Sequence, residues 1–214
     1  MVLQAVHLAD NYLRFNQSCQ PAFVRIIYAM ALEISIKLNE QMVLSLEDIE
    51  ALFENRFSTK MLVNLERHIL SLNNFRTNVA TPLDYVLNLL YLFEGEVFTS
   101  SNSMDLPVDE IANDTLYLLH YAMSQYNLSR KKYSSIAIAA ICTVLQDAHF
   151  DMYQNQMSDM DYEEICEMQK VRDTFLTKVK TQFGDQIDLS EIYEILREFK
   201  QPFKQLQQNI MMDG

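Results

Sequence analysis

The chain has 214 residues, 49% of them apolar, with three glycines, four prolines and a net charge of −12. That apolar content can bury a core in one large or two small domains, while the acidic balance, with a pI of about 4.7, opposes a phosphate backbone and argues against direct nucleic-acid binding. Leu, Met, Ala, Glu, Gln and Lys are plentiful and no segment alternates apolar and polar residues for long, so the expected fold is all-α.

In chain order, hydrophobic periodicity predicts helices at about 2–15, 22–38, 46–55, 59–73, 82–93, 108–126, 130–148, 159–182 and 189–210. Punctuation marks several boundaries. Proline suits the first turn of a helix and disrupts its interior, so Pro21 and Pro82 open helices, Pro107 stands near the start of another, and Pro202 is where the last one breaks or bends. Ser45 with Asp48, and Asp188 with Glu191, have capping-box spacing, in which the first residue's side group accepts from the backbone three residues on. The polar stretch 95–105 reads as the clearest loop.

Two segments, 22–38 and 134–145, are apolar nearly all round, as helices at the centre of a bundle are. Their separation, about 110 residues, predicts two helical bundles in tandem, with a first domain over 1–77 and a second over 78–214.

Little in the sequence supports catalysis. Cys19, Cys142 and Cys166 have neither the even count nor the spacing of a disulfide or zinc framework, and Cys142 in its apolar helix reads as a small buried hydrophobe. His7, His68, His120 and His149 lack a second ligand at metal spacing, so neither a metal nor another cofactor is expected. The near absence of glycine excludes a phosphate-cradling loop. Acidic residues over 151–167 read as a solvated helix face. With no signal peptide and no apolar run of about 18 residues, the expectation is an intracellular protein with reduced thiols, no membrane association and no enzymatic activity.

The segment 59–73 is the most informative. Met61, Leu62, Leu65, Ile69 and Leu72 form the expected core stripe, while Val63, Glu66 and Leu70 cluster on a flank away from it. Glu66 has no cation three or four residues away on its own helix. Lys37 has Glu33 four residues before it and lies near a helix C-terminus, an arrangement that stabilises a helix without any further function. On these grounds alone both Lys37 and Glu66 read as surface residues.

Several fragments, taken in order, resemble the cyclin box: LADNYL at 8–13, AMALEISIKLNE at 29–40, FSTKMLVNLERHIL at 57–70, then Phe75 and Thr81-Pro82. The family pattern has an L-x-D-R-[YF]-L helix, an apolar helix ending A-S-K-[YF]-E-E, a helix carrying M-E-x-x-I-L, and an aromatic just beyond. The 29-residue interval from Lys37 to Glu66 resembles that of mitotic-type cyclins. YSSIAIAA at 133–140 is similar to the second-repeat helix, L-P-S-x-[IV]-A-x-A-A. The resemblance covers about residues 2–148, beyond which only helical periodicity is evident.

The resemblance implies a regulatory subunit that binds and activates a cyclin-dependent serine/threonine kinase in cell-cycle control, as a heterodimer in the nucleus or cytoplasm. Lys37 and Glu66 would hydrogen-bond backbone groups near the kinase's mobile helix, with Leu38, Leu70 and Phe75 as the apolar contacts. The alternative is a cyclin-fold scaffold or transcription-related binding module that does not activate a kinase. Asn11, Ile36 and Asn39 depart from the family pattern, Leu38 stands in place of an aromatic, and Glu33 occupies a generally apolar position. The first helix of the first box, to which the aspartate matching Asp10 would tie, is expected to be missing. Arg67 to Leu70 fits an Arg-x-x-Leu degradation motif, but within a predicted helix.

Overall fold

The computed structural model describes residues 1–40, 44–98, 108–147 and 159–213, and among these there are helices, turns and irregular connections but no strand. The fold is all-α. It divides into two compact units, Met1–Thr81 and Pro82–Gly214.

The first unit contains α1 (Val2–Phe15), α2 (Pro21–Asn39), α3 (Leu46–Leu52) and α4 (Thr59–Leu72). Pro21 opens α2, where a missing N–H costs no intrahelical bond. Ser45 caps α3 by accepting from the Asp48 N–H at 3.1 Å. The Ser58 hydroxyl does not cap α4; instead Glu50 Oε2 on α3 accepts from the Thr59 N–H at 3.1 Å and from its hydroxyl at 2.6 Å. The start of α4 is thereby tied to its neighbour.

The periodicity places α3 through residue 55, but the helix stops at Leu52 because Glu54 and Asn55 take left-handed φ values of 55° and 56°. The Asn55 N–H returns to Glu50 O at 2.9 Å, closing a Schellman turn. The same device ends α4: Asn74 and Phe75 have φ of 51° and 55°, and the Phe75 N–H reaches Leu70 O at 2.8 Å.

Packing within this unit is centred on α2, which meets α1 and α4 while α3 rests on α4. Leu8, Ala9 and Tyr12 of α1, Ile26, Met30, Ala31 and Ile34 of α2, Ile49 of α3 and Leu62 and Ile69 of α4 share one core. Leu65 and Leu72 pack against it partly buried, as the predicted stripe requires. Met61, at the edge of that stripe in the first turn, is exposed instead.

The second unit contains α5 (Pro82–Phe93), a π-helical turn (Glu94–Phe98), α6 (Val108–Ser124), α7 (Tyr126–Ser129), α8 (Tyr133–Asp147), α9 (Asp159–Phe183) and α10 (Leu189–Asp213). α8 packs against α5, α6, α9 and α10, and every residue from Ser135 to Leu145 is buried. Ala137, Ala139 and Ala140 admit the close neighbours. The polar groups in the buried stretch are satisfied: Thr143 Oγ1 donates to Ala139 O at 2.9 Å, and Ser135 Oγ to Glu191 Oε2 at 2.5 Å.

One stretch of this unit differs from the sequence-based expectation. Residues 95–98, expected to be loop, continue α5 as a π turn because Val97 and Phe98 are buried; Phe98 and Phe93 both meet the Phe175 ring, at 6.0 and 5.8 Å between centroids. The remainder of that predicted loop, 99–105, lies outside the described residues. α10 runs through Pro202, as the predicted span 189–210 does, without the break considered at the proline, and burial of Pro202 and Phe203 offsets the lost backbone bond. Its start follows the predicted cap, with Asp188 Oδ1 accepting from the N–H groups of Ser190 at 2.9 Å and Glu191 at 3.2 Å.

Candidate partner-binding site

Lys37 stands in the last turn of α2 and Glu66 in the middle of α4, and the packing of those helices brings their charged ends together. Lys37 Nζ donates to Glu66 Oε1 at 2.9 Å. The pair is neither walled in nor fully solvated, with side-chain exposures of 33% for Lys37 and 21% for Glu66. Glu66, which has no cation three or four residues away on its own helix, therefore finds one on the neighbouring helix.

Beneath this bridge lies a third charged group. Glu33, one turn before Lys37, is 0% exposed, and Lys37 Nζ lies against its Oε1 as an ion pair. Neither carboxylate oxygen of Glu33 has a hydrogen bond of normal geometry, and the buried Ser35 hydroxyl also lacks one. Burial pushes the Glu33 carboxyl above its ordinary range, opposed by Lys37 and aided by the negative charge of Glu66. Burial also works to lower the Lys37 ammonium, but the close contacts and negative charges of Glu33 and Glu66 outweigh it and leave that group above its ordinary value. The spacing of Glu33 and Lys37 reads as an ordinary surface pair, so sequence reasoning missed this burial. The usable signal is an acid at a position where the resembled family is apolar.

The three apolar residues are placed differently. Leu38 follows Lys37 at the end of α2 and is 52% exposed. Leu70, one turn after Glu66, is half-buried and packs on the core. Phe75 is 67% exposed and held by the Schellman turn whose acceptor is Leu70 O. The structure joins Lys37 to Glu66 and Phe75 to Leu70 directly, whereas Leu38 is associated with them through its place beside Lys37.

A left-handed conformation costs a non-glycine residue roughly 1–2 kcal/mol, and an exposed phenylalanine recovers little of that by burial. Phe75→Gly is therefore expected to raise the unfolding free energy by about 1 kcal/mol, measured by urea titration. A fall in stability would show that the ring contributes more to the fold than its exposure indicates.

Polar contacts hold the surrounding helices. Asn39 Nδ2 donates to Gln4 Oε1 and to Ser35 O, both at 2.7 Å, and Gln4 Nε2 donates to Thr77 O at 2.6 Å. Asn11 Nδ2 donates to Asn73 Oδ1 at 2.7 Å, and Asn73 Nδ2 to Ile69 O at 2.9 Å. Asn11 and Asn39, both departures from the family pattern, thus tie α1 to the end of α4 and to α2. Asp10 accepts from the Tyr28 hydroxyl on α2, and burial together with that bond pushes the phenol above its ordinary value.

Elsewhere, Cys142 is fully buried and its thiol is pushed up to about 12 by burial, far from the thiolate that nucleophilic chemistry needs. Among the described residues no group of three or more His, Cys, Asp or Glu residues could hold a metal ion, and no helix is long and apolar enough to cross a membrane. Arg67 to Leu70 lies inside α4.

Residues 1–78 match the family model for the N-terminal domain of cyclins. These residues include α1 to α4, the Lys37–Glu66 bridge and Phe75, and the match supports the cyclin family. No curated protein and no solved structure matches the chain.

Proposed function

We propose that this chain is a regulatory subunit that binds a cyclin-dependent kinase and raises its activity, with α2 and α4 of the first unit as the contact surface. The observation that carries the reading is the partly exposed Lys37–Glu66 bridge, formed between two helices that both lie within the cyclin-matching residues. Such a pair offers a hydrogen-bond donor and an acceptor at fixed separation, matched to the carbonyl and N–H groups of a partner's backbone. Leu38, next to Lys37, and Phe75, just beyond α4, add exposed apolar area.

The physical basis of activation is a population shift. A kinase transfers phosphate when a glutamate on its mobile helix pairs with the phosphate-binding lysine. A partner that prefers the inward helix position raises that population by its differential affinity for the two states. The regulatory subunit itself supplies no reacting group in this scheme.

In the same reading, the second unit, with α8 buried from Ser135 to Leu145 at its centre, is a second cyclin-like domain, the subunit acts in the cell cycle as one half of a heterodimer in the nucleus or cytoplasm, and the type is mitotic. The test is co-expression with a panel of recombinant cyclin-dependent kinases. A 1:1 complex that survives size-exclusion chromatography with at least one of them supports the proposal; no complex with any member counts against it. A complex without gain of activity would favour the scaffold alternative.

A further inference from the structure

Within α2, Ile26, Ile27, Met30, Ala31 and Ile34 are buried, and Glu33 is buried among them with the Lys37 ammonium against its Oε1 as its ion-pair partner. Burying a carboxylate this way is among the more costly choices a core position can make. An apolar residue would serve the fold better. Lys37 does not require a buried counterion either, because Glu66 also pairs with it at 2.9 Å. One ammonium therefore faces two carboxylates, one buried and one at the surface.

The surplus becomes useful when a partner docks. If Glu66 turns to accept from a partner N–H, Lys37 loses the counterion it shares with the surface, and its charge would stand uncompensated in a drying interface. Glu33 cannot follow Glu66 outward, since it is enclosed one turn below, so it stays with Lys37. We infer that Glu33 is a positioning residue, acting through Lys37: it holds the ammonium at the end of α2 and remains its counterion while Glu66 is released to the partner. This rests on the kinase-binding reading above. With an uncharged residue at 33, Lys37 would depend on Glu66 alone, and each docking event would have to break that bridge without compensation.

Fold and function separate at this position, because the group that is costly to the core is the one that favours the interface. Glu33→Leu and the near-isosteric Glu33→Gln would each be measured for melting temperature, and for affinity by calorimetry toward whichever recombinant kinase binds the unaltered protein, with Glu66→Ala as the reference. Expected are an unchanged or higher melting temperature for Glu33→Leu and a loss of affinity of about tenfold or more for both variants. Affinity within twofold of the unaltered protein, while Glu66→Ala binds weakly, would make Glu33 a tolerated core residue and overturn the inference alone. A fall in melting temperature for both variants would assign it a structural role and overturn it equally. Full affinity in Glu66→Ala would instead remove the kinase-binding reading on which it rests.

Discussion

Glu66→Ala is expected to weaken the complex with a cyclin-dependent kinase by about 2–5 kcal/mol, or roughly 30- to 5,000-fold, the cost of truncating one partner of a desolvated charged hydrogen bond. The free protein should scarcely notice. Glu66 sits in a partly exposed pair, and such pairs contribute about 0–1 kcal/mol to folding; Lys37 would keep Glu33 beside it. Lys37→Ala behaves differently, because it removes the cation that lies against the buried Glu33. That carboxyl, already pushed upward by burial, would take a proton or remain as an unpaired charge, and the melting temperature should fall. The two halves of one bridge thus differ in their effect on stability while agreeing in their effect on binding. Calorimetric affinity and thermal melts of both variants check the pattern, and equal stability losses would contradict the asymmetric burial on which it depends.

The largest expected effect on the fold is in the second unit. Phe175 is fully buried and meets Phe93 edge-on at 5.8 Å and Phe98 at a tilt at 6.0 Å. It ties α9 to α5 and to the π turn that follows it. Phe175→Ala deletes a ring with two aromatic partners and leaves a cavity in a region of close packing, which should cost about 3–5 kcal/mol. Measured by urea unfolding, that loss should come with weaker amide protection over Glu94–Phe98, whose two buried residues include one of those partners. A loss below about 1 kcal/mol would mean that the site collapses and refills.

Much of the architecture was legible because a few residues act locally. Pro21 and Pro82 open α2 and α5, Ser45 and Asp188 cap α3 and α10, and the all-round apolar character of 134–145 marks the helix that is buried on every side. What was not legible depends on long-range packing. The left-handed residues at 54, 55, 74 and 75 end their helices without a single glycine, so the usual stop signal is absent. Residues 95–98 open a polar stretch, yet the burial of Val97 and Phe98 decides their conformation. The site shows the same division. Lys37 and Glu66 stood out through resemblance, whereas the burial of Glu33 could not be read from a spacing that is equally common on exposed helices.

Docking through α2 and α4 should make a kinase faster, and the most direct test is the rate of phosphoryl transfer to a serine/threonine peptide. A recombinant cyclin-dependent kinase would be assayed alone, with the unaltered protein, and with Glu66→Ala at the same concentration. Expected are an increase of about tenfold or more with the unaltered protein and a rate near that of the kinase alone with the variant. An equal increase with both proteins, or no increase with any kinase of the panel, would contradict activation through this surface.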